Sequence, residues 1–386
     1  MRSLEHFFWC LMLVALSTAT MAQPISVTND SAALAGRQQR IDSACDPIML
    51  PPGSPPEFER EMITAEMGGD IGPTPVAPGM KVPAPFNGAL DMAKGIFDRW
   101  TDLSCVDSYG APRLTLFASS VEKAFGFGPM KEVRPVAEEV ALRQIEAIRQ
   151  RFPGTAFAVL VEAVYLHDSA WDARGNGYMS SVTAEGMRIF NEDIAKEKEL
   201  LLANKKIGLT NPFYYVALIQ AEGSADGYSP EMIETFKEGA TRFKFYDSIY
   251  IAAIRYSEEK WGGSWDAIDQ IIRWAADNTR SSTGEWMYAR LYGYVGQDIV
   301  KNEILFSATP ASWPLMRTGY LERLKKVPTD DYRLNLLVRY SCEAGDHATY
   351  LAYRPMLDTK MKPDAWQGSL SSAVCDEKFK YRPRKT

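Results

Sequence analysis

From about Pro85 onward, apolar residues recur three and four positions apart, the spacing of a helix with one buried face. Val136, Val140, Ile145 and Ile148 form such a stripe, with Glu138, Glu139, Arg143 and Arg149 on other faces, which predicts a helix over Val133–Phe152 stopped by Pro153-Gly154. Ala156–Ala173 is predicted as a nearly apolar, interior helix, and Val182–Lys205 as a long helix with one strongly charged side. Asn211-Pro212, Ser229-Pro230, Ser264 and Thr329 read as helix starts, because a short polar side chain can take the unpaired N–H groups of a first turn. Near the C-terminus, Asp330–Cys342, His347–Asp358 and Pro363–Cys375 are predicted as three short helices. Strand-like alternation is nearly absent, so the expected class is all-α: an array of antiparallel helical hairpins spanning residues 89–377.

Within this pattern lies a weak repeat. Tyr215 and Tyr250, Ile219 and Ile254, Phe236 and Ile271, and Ala240 and Ala275 each stand 35 positions apart. Aromatics in the first helix of a pair and a small Ala in the second is close to the tetratricopeptide arrangement, in which Ala lets two helices approach and the rings fill the groove between hairpins. The fold expected is therefore a tetratricopeptide-like α-solenoid, with a third copy starting at Trp286 after a change of loop length.

The N-terminal segments differ in texture. Arg2 precedes an apolar run, Phe7 to Leu16, that ends in small residues at Thr20-Met21-Ala22, the pattern of a cleaved signal peptide over residues 1–22. That run is well short of the roughly 20 residues a bilayer span requires. Residues 23–88 form a proline-rich irregular arm, since Pro51-Pro52, Pro55-Pro56, Pro73, Pro75, Pro78, Pro83 and Pro85 each remove a backbone donor and block a regular helix. A short helix near residues 57–67 is the exception expected there. Residues 378–386 form a basic tail. The expected location is periplasmic or secreted, with no membrane span after cleavage.

A net charge of −6 argues against a nucleic-acid partner. Cleavage would remove Cys10 and leave Cys45, Cys105, Cys342 and Cys375, an even number in an oxidising compartment. Three pairings are possible; Cys45–Cys105 and Cys342–Cys375 are favoured because each joins residues within one end of the chain. If the three C-terminal helices zigzag, the first and third run parallel, which brings Cys342 and Cys375 to the same end.

The residues offer little catalytic chemistry. His167 and His347 are the histidines left after cleavage, and no His/Cys/Asp/Glu cluster has ligand spacing, so no metal is expected. Gly126-Phe127-Gly128 follows no strand and no phosphate-binding loop is present, so no cofactor is expected either. Cys342 and His347 are five apart, but a disulfide explains Cys342 more simply than a nucleophile does. The best candidate surface is His167, Trp171 and Arg174, one helix face at i, i+4 and i+7, where an imidazole, an aromatic plane and a guanidinium would suit an anionic or sugar-like ligand. Trp261 and Arg290 are added as candidate ligand-binding residues. Interhelix packing of the tryptophans, with Arg174 tying down the glycine-rich turn, is the competing reading.

Two stretches carry a family resemblance. Trp171-Asp172-Ala173-Arg174-Gly175-Asn176-Gly177 followed by Val182-Thr183-Ala184-Glu185-Gly186 is one; Trp261-Gly262-Gly263-Ser264-Trp265 followed by Tyr288-Ala289-Arg290-Leu291-Tyr292 is the other. With Asn211-Pro212-Phe213-Tyr214 between them, residues 133–298 resemble a bacterial family of unknown function with tetratricopeptide-like helices, although Lys260 stands where Arg is expected. The resemblance implies a helical-hairpin fold and supplies no reaction, cofactor or partner. The function expected is non-enzymatic binding of a protein or peptide partner in the cell envelope. The alternatives are an envelope enzyme acting on glycan or peptide, and a small-anion or sugar binder.

Overall fold

The computed structural model describes residues 87–106, 112–115, 121, 134–175, 177–300, 303–366 and 370–382. The expected leader, the arm as far as residue 86 with its short helix, Cys45, and the last residues of the tail lie outside the described residues. The described chain is all-α; its nearest approach to a strand pairing is an isolated bridge between Val106 and Pro112. No helix among the described residues is long and apolar enough to cross a membrane.

Fourteen helices are described. The first three are α1 (Asn87–Trp100), α2 (Arg134–Arg151) and α3 (Ala156–Arg174). Next come α4 (Ala184–Ala203), α5 (Phe213–Asp226), α6 (Pro230–Arg242), α7 (Asp247–Tyr256) and α8 (Trp265–Thr283). Then follow α9 (Trp286–Tyr294), α10 (Leu305–Ala308), α11 (Trp313–Lys326), α12 (Asp331–Glu343), α13 (His347–Tyr353) and α14 (Ser372–Lys378). Their starts follow capping chemistry. The hydroxyls of Thr155, Thr183, Ser229 and Ser264 accept from the N–H three residues on, which satisfies donors that a first turn leaves unpaired. Asn211 works one residue earlier than a cap, its Oδ1 accepting from Phe213 N at 2.9 Å.

Two expectations shift. The cap of α12 is Asp330 rather than Thr329, because the Asp330 carboxylate reaches Arg333 N at 3.2 Å. The stretch from Pro363 to Cys375 is not one helix: a 3-10 turn covers Pro363–Trp366, and Ser371 caps a separate α14. Buried Asn335 of α12 imposes the break, its Oδ1 accepting from Lys362 N (3.1 Å) and Trp366 Nε1 (3.0 Å), which holds the turn where a continuing helix would leave it. The tail starts anchored, with Lys378 Nζ donating to the Cys342 carbonyl at 2.8 Å and the Arg354 guanidinium 4.8 Å from the Tyr381 ring.

Packing follows chain order. Helix α3 lies on α4, α4 on α5, α5 on α6 and on α7, α7 on α8 and α9, and α8 on α9; α9 then lies on α11, α11 on α12, and α12 on α13. The residues repeating at 35 positions are all interior: Tyr215, Ile219, Phe236 and Ala240, and then Tyr250, Ile254, Ile271 and Ala275. One hydrophobic core runs from Leu90 in α1 to Cys375 in α14. A smaller cluster of Ala170, Phe190 and Ile194 sits between α3 and α4, with Trp171 and Met187 against it. Cys342 and Cys375 are bonded, their Cα atoms 5.9 Å apart, and both are fully buried.

Candidate functional site

Helix α3 presents His167, Trp171 and Arg174 along one face, and each finds its surroundings in α4 or beyond. Helix α4 buries a stripe of Phe190, Ile194 and Leu201. Two carboxylates, Asp193 and Glu197, fall inside that stripe and must be matched by polar groups, since an unmatched carboxylate in apolar surroundings is costly. They are matched from α3. His167 Nδ1 and Glu197 Oε2 are 3.0 Å apart, and Ser169 Oγ donates to Asp193 Oδ2 at 2.8 Å. Burial pushes the Glu197 carboxyl above its ordinary value, and the adjacent His167 pulls it back.

A turn of helix further on, Trp171 is a junction. Its ring meets Phe190 of α4 at 5.1 Å and Trp261 at 5.9 Å, both edge-on, and its Nε1 donates to Ser224 Oγ of α5 at 3.3 Å. Ser224 and the Tyr256 hydroxyl of α7 are 2.8 Å apart, and the Tyr256 and Trp261 rings 5.1 Å. Burial raises the Tyr256 phenol to about 12. Trp261 Nε1 is buried and has no hydrogen-bond partner among the described residues. Arg174 stacks 5.2 Å from the Trp171 ring while its Nη1 donates to the carbonyls of Gly175 (3.0 Å) and Gly177 (3.4 Å). That is the geometry of a clamp on the glycine-rich turn, and an external anion would have to compete with those carbonyls.

The structure thus gathers His167, Trp171, Arg174 and Trp261 into one polar and aromatic seam. Arg290 is not part of it. From α9 its Nε pairs with Asp247 Oδ2 of α7 at 2.8 Å. The sequence reading missed Glu197, Ser224 and Tyr256. Glu197 had a signal, since it occupies an apolar position in the α4 stripe; Ser224 and Tyr256 meet only through tertiary packing. A groove of about 390 Å³ lies between α2, α3 and α4 with apolar walls of Leu142, Ile145, Tyr165 and Leu166. Its charges are internally matched, Arg149 Nε to Glu162 Oε2 at 2.8 Å and Lys196 to Asp193 at 2.9 Å. None of the five candidate residues lines it.

Chemically, the seam can hold a proton on the buried imidazole–carboxylate pair and can order three helices through the Trp171–Ser224–Tyr256 chain. Removing His167 leaves the Glu197 carboxyl interior with its named partner gone. His167→Ala is therefore expected to destabilise by about 2 kcal/mol. Urea unfolding of both proteins at pH 7 checks this, and an unchanged midpoint would show that Glu197 does not depend on the ring.

Comparison with family models, with curated proteins and with solved structures finds no match for this chain.

Proposed function

We propose that this chain is an exported array of helical hairpins, resident in the periplasm or secreted, that binds a protein or peptide partner. The order of packing supports the array, because from α2 to α9 each helix lies on its chain neighbour, and α3, α5, α7 and α9 also touch in sequence. Stacks of this kind build long surfaces from repeated units and commonly work by binding. The proposed likeness to a tetratricopeptide-like bacterial family agrees with the interior positions of the 35-residue repeat. The buried Cys342–Cys375 bond suits an oxidising compartment.

One observation carries the partner reading. The last turn of α3 and the turns after α5 and α7 sit together: Trp171 meets Trp261, and Tyr228 N donates to the Trp261 carbonyl at 2.8 Å. Gly227 makes that approach possible, since with φ +65° a Cβ would come within 2.4 Å of the same carbonyl. The turn after α3 holds Tyr178 and Met179 in solvent, 90% and 65% exposed, and the turn after α5 leaves Tyr228 37% exposed. Large apolar side chains held outward by an ordered turn are the usual anchors of an interface.

A photo-crosslinking residue placed next to Tyr178, in cells of the source organism, is expected to trap a defined partner. Tyr178→Ala with Met179→Ser should weaken recovery about 10-fold while leaving the helical circular dichroism spectrum intact. Equal recovery by both proteins, or no adduct from either, would remove the proposal.

A further inference from the structure

Met179 differs from the other methionines whose side chains are described. It is 65% exposed, whereas Met232, Met287 and Met316 are buried and Met187 and Met361 half-buried. Met356, at 53%, is comparably open. Cys105, Cys342 and Cys375 are disulfide-bonded, so among the described residues no free thiol competes with these thioethers for an oxidant.

What faces the sulfur separates the two open ones. Arg174 Nη2 donates to Met179 Sδ at 3.7 Å, a weak bond because a thioether is a poor acceptor. No donor among the described residues reaches the sulfur of Met356. Both ends of the Arg174–Met179 contact are held in place. The guanidinium stacks on Trp171 at 5.2 Å, and its Nη1 is taken by the carbonyls of Gly175 and Gly177. The sulfur is carried by a 3-10 turn, Met179–Ser181, which Ser181 closes by donating from N (2.8 Å) and Oγ (2.7 Å) to the Tyr178 carbonyl.

A peroxide oxidises a thioether by direct oxygen transfer. The sulfur lone pair attacks one peroxide oxygen, the O–O bond breaks, and the departing hydroxide takes the proton of the transferred oxygen and leaves as water. Sulfur loses two electrons and the peroxide gains them. Negative charge builds on the departing oxygen as the bond breaks, where a guanidinium beside the sulfur can donate to it. The product gains more. A sulfoxide oxygen about 1.5 Å from the sulfur and turned toward Arg174 comes to roughly 2.7 Å from Nη2, the length of a charge-assisted hydrogen bond. The two faces of the sulfur give different epimers, so this bond favours one of them. We propose that Met179 is a peroxide-sensitive modification site whose sulfoxide is held by Arg174, and that its oxidation turns off the partner face formed with Tyr178. The apolar anchor becomes a polar, chiral group tied back to α3, and a sulfoxide reductase of matching stereochemistry restores it. The second half rests on the binding reading above; the first does not.

Limited treatment of the full mature chain with hydrogen peroxide, followed by timed peptide mass mapping, tests the site. Exposure alone would give Met179 and Met356 nearly equal rates. Met179 is expected to oxidise about 3-fold faster, and digestion with the two stereospecific sulfoxide reductases should show one epimer in about 3-fold excess. Arg174→Gln should remove both differences, and Arg174→Lys, which keeps the charge and a donor, should retain part of them. Equal rates at Met179 and Met356, or an even mixture of epimers in the parent, would overturn the site. The switch is read with a photo-crosslinking residue next to Tyr178, the purified chain being treated and then mixed with envelope extract of the source organism. Oxidised parent should recover about 10-fold less partner than untreated parent, and Met179→Leu should recover equally with and without peroxide. Equal recovery by oxidised and untreated parent would overturn the switch. Recovery by neither would remove the partner reading and the switch with it, while the rates and the epimer ratio judge the modification site by themselves.

Discussion

Replacing Cys342 and Cys375 together by alanine is expected to lower the unfolding free energy by about 4 kcal/mol. The bond closes a loop of 33 residues in the unfolded chain, and the chain-entropy model gives that magnitude for a loop of this length. The effect should concentrate at one place. Helix α14 has only seven residues and buries Cys375 alone, so it cannot persist by itself. Its other attachments are polar: Asp376 accepts from Tyr350 Oη (2.7 Å), Arg354 Nε (2.9 Å) and Arg354 Nη2 (2.8 Å), and Lys378 reaches the Cys342 carbonyl. These contacts require α14 to be already in place, and without the bond they must also offset its ordering. Urea unfolding should show the lower midpoint, and hydrogen exchange should quicken over residues 372–381 before the rest of the chain. Unchanged exchange in α14 would mean that the ion pairs alone suffice.

The pairing of those cysteines was legible, though the argument for it was only half right. Both lie near one end of the chain, which is why their joining could be expected. The parallel-helix geometry offered for it fails at Ser371, whose hydroxyl accepts from Val374 N and opens a new helix. Ser371-Ser372 ahead of Ala373-Val374-Cys375 is an ordinary cap signal, which the expectation of one helix from Pro363 passed over. What fixes the break is Asn335, a side chain far away in sequence. The same division holds elsewhere. Caps at Ser229 and Ser264 act within three residues and could be read directly. The 35-residue repeat was readable because each position buries the same kind of side chain in alternate helices, α5 with α7 and α6 with α8.

The site chemistry was less legible because its decisive feature is which charges remain unmatched. Arg290 looked like a candidate and turns out to be neutralised by Asp247, 43 positions away. Arg323 likewise pairs with Asp330, seven positions on, at 3.1 Å. No local pattern distinguishes those outcomes. Arg174 shows the converse, since a guanidinium directly before a glycine-rich turn finds the carbonyls of Gly175 and Gly177 at once, and the packing reading weighed for it matches the contacts observed.

Glu222 offers the sharpest pH test in the molecule. It lies in α5 at 1% exposure, with one carboxyl oxygen lacking a hydrogen-bond partner among the described residues. Burial is the main cause that pushes its pKa up to about 7, helped by Glu231 and Asp226 and opposed by Thr235 and Lys198. The folded value exceeds the unfolded one near 4.5, so folding favours the protonated acid. Its contribution is fully present below about pH 4.5 and is lost as pH rises through about 7. At 1.36 kcal/mol for each unit, the loss is about 3 kcal/mol between pH 4.5 and pH 8. Glu222→Gln keeps the shape and abolishes the charge, so it should match the parent near pH 4.5 and exceed it by up to about 3 kcal/mol at pH 8. The buried carboxyls of Glu197 and Glu343 shift in the same direction and remain in both proteins, so the difference between the two curves isolates Glu222. Urea midpoints measured from pH 4.5 to 8 would show converging curves at the acid end. Parallel curves would mean that Lys198, already shared between Glu231 (3.0 Å) and Asp226 (3.7 Å), also compensates Glu222 in the folded chain. Because Glu222 sits where α4, α5 and α6 meet, its ionisation would loosen the same helices whose turns hold Tyr178 and Tyr228 outward, and partner capture should weaken at alkaline pH in the parent but not in Glu222→Gln.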